Sequence, residues 1–499
     1  VTHLAVLDNT DYAQGITFVG AQNIIRLWIV APDDGSELED FDDWLALLIT
    51  HEYTHLVHID QVRGLPTLIN AIFGQIYHPN HLLPTWVTEG YAVHEESARN
   101  RGGRVRSTMF DMYLRMAVLE DNFLRLDQAT SGTRNFPQGN VSYLYGQDFI
   151  NYLVRRFGAD TLARLARETS DDVIPFTLSR SLRRVTGYGL TELWEDWRRS
   201  LELGYSAVEQ RVRAEGLTES TQLTELGEQM GPPRFDFEGR KVYFYHSSEE
   251  SPSAIWSVDT QNLELDRVTI TPGQVQLTPS SDGRSLYIAR GDRFELIYQY
   301  HDIFRMDLRT GEEERLTEGA RSYAADASRD GRYVTYAAYR GESSDLWIAD
   351  SELGGRRRLI RSRTEEQVYS PRFSPDGRFV AISQWRSGGN RDIVLVSVDD
   401  GSTRLITDDR ALDKNPCFSP DGRYLVFSSD RTGIANLYAY DLEEERLWQM
   451  TNVISGAYMP DVSPDGDTVA FVGYSSLGFD LHTMPFDADQ WRDPAPAME

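Results

Sequence analysis

The chain has 499 residues, 77 acidic against 50 basic, and a formal charge of −27. Its 40% hydrophobic and 11% aromatic content supports packed cores and excludes a disordered polyelectrolyte. The negative balance, with no basic block to offset it, excludes a phosphate-backbone binder, so no nucleic-acid partner is expected.

At roughly 150 residues per domain the length predicts two to four domains. Cys417 is the one cysteine, which excludes an intrachain disulfide and a cysteine-based zinc knuckle. No apolar run approaches the ~18–20 residues that span a bilayer, so no transmembrane segment is expected. The chain starts at Val1 without an initiator Met. That reads as a processed form or a fragment whose targeting segment has been removed.

Taken in chain order, residues 1–214 read mainly as helices. Ile24–Val30 is β-branched and apolar and predicts a strand. Leu38–Ile59 predicts a helix with Phe41, Leu45, Leu48, Glu52, His55 and Ile59 on one face. Further helices are predicted over Val141–Phe157, Thr161–Glu168 and Leu190–Arg213.

From about Pro232 the texture changes to short β runs broken by Asp-Gly turns. The turn glycines Gly239, Gly283, Gly331, Gly377, Gly422 and Gly466 are spaced by 44, 48, 46, 45 and 44 residues. Phe373-Ser374-Pro375-Asp376-Gly377-Arg378 and Phe418-Ser419-Pro420-Asp421-Gly422-Arg423 are clear copies. Each turn precedes alternating strands such as Tyr424–Phe427 and Asn436–Tyr440, then a third such as Arg446–Thr451. Four short strands per ~45 residues is a β-propeller blade. The last copy lacks its final strand, and a matching segment, Thr221–Leu226, precedes the first blade. Six blades closed by that strand leave no exposed edge.

The helical half carries His51-Glu52-Tyr53-Thr54-His55 on a predicted helix. Residues i and i+4 share a face, so both imidazoles reach one ion, while Glu52, ~100° aside, reaches a water beside it. A catalytic zinc needs a third protein ligand and an open position. Glu89, in Trp86-Val87-Thr88-Glu89-Gly90-Tyr91-Ala92, is the leading candidate; His58, His78, His81 and His94 compete with it. With one cysteine in the chain, the ion must rest on His and Glu.

His51–His55 followed by Trp86–Ala92 resembles the gluzincin metallopeptidases, the group that includes aminopeptidase N and thermolysin. The resemblance implies a mainly helical zincin-like domain, one Zn²⁺ per chain held by His51, His55 and Glu89, and Glu52 as the base. Tyr143, in Tyr143-Leu144-Tyr145-Gly146, maps onto the transition-state stabilising tyrosine, with Tyr145 as the fallback. Two departures stand out. Thirty-three residues separate His55 from Glu89, longer than in the aminopeptidase branch, and the extra Arg63–Leu83 loop is expected to shape or cover the cleft. The branch's Gly-Ala-Met-Glu-Asn strand becomes Gly20-Ala21-Gln22-Asn23, without the glutamate that anchors an α-amine. Gly20, Ala21, Gln22 and Asn23 are therefore expected to contact substrate as an edge strand, in an endopeptidase rather than an aminopeptidase.

The Ser-Pro-Asp-Gly turns resemble those of TolB-like propellers and of the lid propellers of prolyl oligopeptidases. No G-x-S-x-G nucleophile elbow is present, so the serine-peptidase partner of such lids is not expected. The combined expectation is a multidomain α+β chain: a metallopeptidase domain at 1–214, a linker and closing strand at 215–230, a six-bladed propeller at 231–488 and a tail at 489–499. It acts on a peptide or protein substrate outside the cytoplasm, in a bacterial periplasm or secreted, with the propeller gating access or docking a protein partner. The alternative is a propeller-based binding or scaffold protein with a catalytically silent zinc domain.

Overall fold

The computed structural model describes residues 1–497 apart from Ala21, Gly132, Asn135 and Pro175. The chain clusters into two units. The helical unit holds Val1–Leu7, Gln14–Ile29 and Asp40–Gln210. The propeller unit holds Asp8–Ala13, Val30–Glu39 and Arg211–Glu499. A single cut at residue 214 thus misses two excursions of the N-terminal stretch that pack within the propeller unit. Their acids explain why: Asp11 pairs with Arg321, Asp34 with Arg391 and Glu39 with Lys414. All three carboxylates are buried, and a buried charge is tolerated only when paired.

In the helical unit, β1 (Thr2–Leu7), β2 (Gly15–Phe18) and β3 (Asn23–Trp28) form a sheet of order β1-β3-β2. β1 runs parallel to β3 and β2 antiparallel to it, so β2 is an edge strand. Ile25 and Leu27 of β3 are buried, as its alternating pattern requires. The helices are α1 (Trp44–Ile59), α2 (Gly64–Phe73), α3 (Thr85–Arg99), α4 (Thr108–Leu119) and α5 (Leu126–Ser131). They continue with α6 (Val141–Phe157), α7 (Thr161–Thr169), α8 (Leu178–Thr186) and α9 (Leu190–Ala214).

The predicted first helix begins six residues later than its periodicity implies. Asp43 is extended, with φ −144°, and its side chain accepts the Ala46 amide at 2.9 Å, which fixes the start at Trp44. The Arg63–Leu83 segment is a folded insertion rather than a loop: α2 is followed by a 3-10 turn at Pro79–Leu82. Buried Asn80 pins it, donating to His58 O at 2.8 Å and accepting from Thr169 at 2.6 Å. α2 carries no charge and leaves Leu65, Leu68, Ile72 and Phe73 exposed.

α3 and α6 cross at two glycines. A Cβ on Gly146 would stand 2.1 Å from Trp86 O, and one on Gly90 would stand 2.5 Å from Gly146 O. Only glycine permits this approach. The crossing is buttressed by Trp86, Phe149 and Trp194, whose rings pack at 5.4–5.7 Å. Among the described residues no helix is long and apolar enough to cross a membrane.

The propeller unit contains six antiparallel sheets in succession. Five have four strands, and the first has four with a short extra strand, Arg234–Phe235, beside Lys241–Ser247. The sixth sheet is completed by Thr221–Gln222, which pairs with Thr483 and His482. The expected closing strand is therefore in place. Adjacent blades bury shared clusters, such as Val426, Leu437, Val469 and Phe471. The repeated turns are explained by local chemistry. In the fourth blade, Ser374 donates to Asp376 at 2.6 Å, Asp376 accepts the Arg378 amide at 3.0 Å, and Gly377 takes φ +70°.

Candidate metal centre

α1 presents His51 and His55 on one face, and α3 brings Glu89 to them. His51 Nε2 and His55 Nε2 lie 3.2 Å apart, and each is 3.3 Å from Glu89 Oε2. A tetrahedral ion bound at about 2.0–2.1 Å spaces its ligand atoms about 3.3–3.4 Å apart. The triangle thus has the size of one face of such a site. Glu89 Oε2 is buried without a hydrogen-bond partner, which fits an atom directed at a cation. Among the described residues this is the one group of three His, Cys, Asp or Glu side chains so placed.

A second layer holds the first. His51 Nδ1 meets Glu96 Oε2 at 2.8 Å, and Arg104 grips Glu96 through Nε at 2.9 Å and Nη2 at 2.8 Å. Donation from Nδ1 leaves the Nε2 lone pair for a metal. Burial alone pushes the His51 imidazole down, but Glu89 and Glu96 outweigh it and raise it to about 9. Burial pushes Glu96 up, yet Arg104 holds it at about 2. Against the same burial, His51 and His55 keep Glu89 well below the usual carboxylate range.

Glu52 is buried beside the edge strand. Thr17 Oγ1 of β2 lies 2.8 Å from Glu52 Oε2. A Cβ on Gly15 would come within 2.6 Å of Glu52 Oε1, so β2 passes close to this carboxylate because residue 15 is glycine. Tyr143, in the first turn of α6, places its ring 6.3 Å from that of His51. The Arg104 guanidinium lies 4.7 Å from the Tyr143 ring centroid. Burial and the charge of Glu89 push the phenol up to about 12, so it remains a proton donor.

The other candidates lie elsewhere. Tyr145 is buried, accepts the Leu124 amide at 3.0 Å and stacks on Trp194, which makes it a core residue. His58 stacks on Tyr91 at 4.3 Å, and burial lowers its imidazole to about 3. His94 meets Asn151 at 2.7 Å, His78 lies 4.0 Å from Asp60, and His81 is exposed. None of them joins the cluster.

Gly20, Gln22 and Asn23 sit at the β2–β3 connection, and Ala21 is outside the described residues. Asn23 Oδ1 accepts the Gly20 amide at 3.3 Å. Asn23 pairs with Thr2 of β1, and the sheet's two edges are β1 and β2; of these, β2 (Gly15–Phe18) is the one whose Thr17 meets Glu52. The sequence pattern did not single out Gly15, Thr17, Glu96 or Arg104. Glu96 lies seven residues, two helical turns, beyond Glu89, and that spacing on one face was its available signal.

A cavity of about 780 Å³ in the same unit is lined by Leu83, Pro84, Phe123, Leu126, Leu178 and Trp194, among others, and by none of the cluster residues. The chemistry is therefore located by the donor triangle and not by cavity size.

Comparison with known proteins bears on the propeller. The model of the family described as TolB beta propeller domain matches residues 322–493. The Tol-Pal system protein TolB of Francisella tularensis subsp. mediasiatica is 30% identical over 152 residues, 30% of this chain and 34% of that protein. An uncharacterized protein of Agrobacterium fabrum is 31% identical over 183 residues, 34% of this chain and 61% of its own length. The chain thus spans about a third of the length of the TolB relatives it matches. Among solved structures, TolB from Acinetobacter baumannii is similar at 18% identity, covering 60% of this chain and 72% of that one, with a TM-score of 0.40. The family match identifies a TolB-like propeller domain over residues 322–493, within the propeller unit.

Proposed function

We propose that the helical unit is a zinc-dependent peptidase, more an endopeptidase than an aminopeptidase, working outside the cytoplasm. The observation that carries this is the 3.2–3.3 Å triangle of His51, His55 and Glu89 with Glu52 beside it. His51, His55 and Glu89 would hold a zinc ion, which would supply Lewis acidity toward a scissile carbonyl and toward an attacking water. Glu52 takes a proton from that water and delivers it to the leaving amine. Thr17 holds one Glu52 oxygen, which fixes the carboxylate's orientation. Tyr143 donates its hydroxyl to the oxyanion, a contribution of about 3 kcal/mol in comparable sites. An extended substrate adds to the free edge of β2, where a blocked N-terminus is tolerated because no acidic anchor is required.

The test is Glu52→Gln. Zinc content stays at one per chain, while cleavage of an unfolded protein substrate falls by at least about 10³-fold. Unchanged turnover in that variant sinks the assignment.

The TolB matches favour a second reading, in which the propeller docks a protein partner and the zinc domain is silent. The comparisons speak more directly for this reading than for catalysis, and the geometry of the helical unit speaks for catalysis. Bound zinc with no cleavage of any peptide pool decides for the second reading.

A further inference from the structure

Five residues before each turn glycine, the six blades place one side chain each at equivalent positions: Arg234, Thr278, Asp326, Arg372, Cys417 and Asp461. Five of these six line a cavity of about 120 Å³ to which all six blades contribute. Cys417 is the exception; it is buried, and burial raises its thiol to about 12.

The two acids of this ring are already committed. Asp461 accepts from Arg372 at 2.6 Å and from the Phe235 amide at 2.7 Å. Asp326 accepts from the Phe373 amide at 2.9 Å and from Thr278 at 3.2 Å, with Arg372 Nε 3.4 Å away. Asp236, which also lines the cavity, takes the Arg240 amide at 2.8 Å.

The donors are not matched in the same way. The Arg234 guanidinium donates at 3.4 Å to its neighbour's carbonyl, Pro233 O, and its buried Nε has no partner. Arg372 Nη1 is likewise buried without a partner. Burial and the neighbouring Arg372 charge together push the Arg234 guanidinium down to about 10. Asp461 and Asp326 balance the charge of Arg372 and Arg234 but leave these donors unmatched, and a buried donor facing a small cavity is costly unless a ligand oxygen reaches it. The cavity wall carries Phe235, Phe373 and Phe418 together with Asp236, Arg329 and Ser374, so a ligand there meets ring faces as well as polar groups.

We propose that this axial cavity is a carboxylate-binding site, in which Arg234 and Arg372 clamp the carboxylate of a small ligand. The carboxylate comes from a peptide C-terminus or from a free short-chain acid. Either fits, because planar guanidinium pairs recognise the group and not its source.

Calorimetric titration of the full chain, stripped of metal by a chelator, tests this with three probes: N-acetylalanine, N-acetylalaninamide and acetate. N-acetylalanine binds at one site per chain, the amide does not saturate, and Arg234→Met weakens the acid at least tenfold without lowering the thermal midpoint. Acetate as tight as N-acetylalanine identifies a free acid as the ligand class; acetate at least tenfold weaker identifies a peptide terminus. If Arg234→Met does not fold, Arg234→Lys keeps the charge and removes the planar fork, and full affinity in that variant overturns the proposal. Equal binding of acid and amide, no saturable binding of either acid, or unchanged affinity in Arg234→Met also overturns it.

Discussion

His51 Nδ1 is 2.8 Å from Glu96 Oε2, and Glu96 is wholly buried. That contact ties the His51 ring of α1, through the nitrogen opposite the Nε2 that meets His55 and Glu89, to a carboxylate two turns beyond Glu89 on α3. The carboxylate is in turn gripped by Arg104, which also covers the Tyr143 ring. One buried ion pair thus orients the His51 ring and borders Tyr143. Changing Glu96 to Gln keeps a hydrogen-bond acceptor for His51 but removes the charge. Zinc affinity, measured by competition with a chromophoric chelator, is expected to fall about 10–100-fold. Wild-type affinity in Glu96→Gln would remove this layer from the account.

The same contact sets a pH dependence. Glu89 and Glu96 raise His51 to about 9, so the metal-free protein carries a proton on His51 at pH 7. A raised folded-state value stabilises the fold fully below the unfolded pKa of about 6.5, and this contribution is lost as pH rises through about 9. The chelator-treated protein is therefore expected to lose up to about 3 kcal/mol between those limits. Zinc must displace that proton, so binding at pH 7 releases about one proton and binding at pH 10 releases almost none from this group. Calorimetry in buffers of different ionisation enthalpy measures the release. Equal release at pH 7 and pH 10 contradicts the placement of the proton.

Much of this was legible in the sequence, for identifiable reasons. Histidines four apart on a helix share a face whatever surrounds them, and a turn repeated at 44–48 residues announces blades. The bounds of α6 were readable because its apolar period is unbroken, whereas the start of α1 was masked by apolar residues ahead of its true cap, Asp43. What stayed hidden depends on contacts distant in sequence. Thr17 meets Glu52 across 35 residues, and Asp34 meets Arg391 across 357. The repeat also concealed a backbone feature: Ala324, Ser370, Asn415 and Met459 take φ between 45° and 55° at equivalent inner-strand positions. Register shifts adjoin all four. No residue type marks these bulges, because Ala, Ser, Asn and Met share no turn preference.

The glycine of Tyr143-Leu144-Tyr145-Gly146 is explained by helix packing and not by chemistry. A methyl group at residue 146 would stand 2.1 Å from the Trp86 carbonyl oxygen, and that atom is backbone, so it cannot rotate aside. Gly146→Ala must therefore push α6 away from α3, carrying Tyr143 with it and opening the packing around Trp86 and Phe149. Overpacking of this kind costs about 1–3 kcal/mol. Thermal unfolding of the variant is expected to show that loss. Its kcat is expected to fall further than its KM changes, because Tyr143 is assigned to the oxyanion and not to ground-state binding. Gly90→Ala strikes the same crossing from the other helix, at 2.5 Å from Gly146 O, and is expected to behave alike. Gly204 of α9 is the control, since a Cβ there meets nothing within 4 Å; Gly204→Ala should leave activity unchanged and preserve or raise stability. Equal effects at positions 146 and 204 would show that the α3–α6 approach does not set the position of Tyr143.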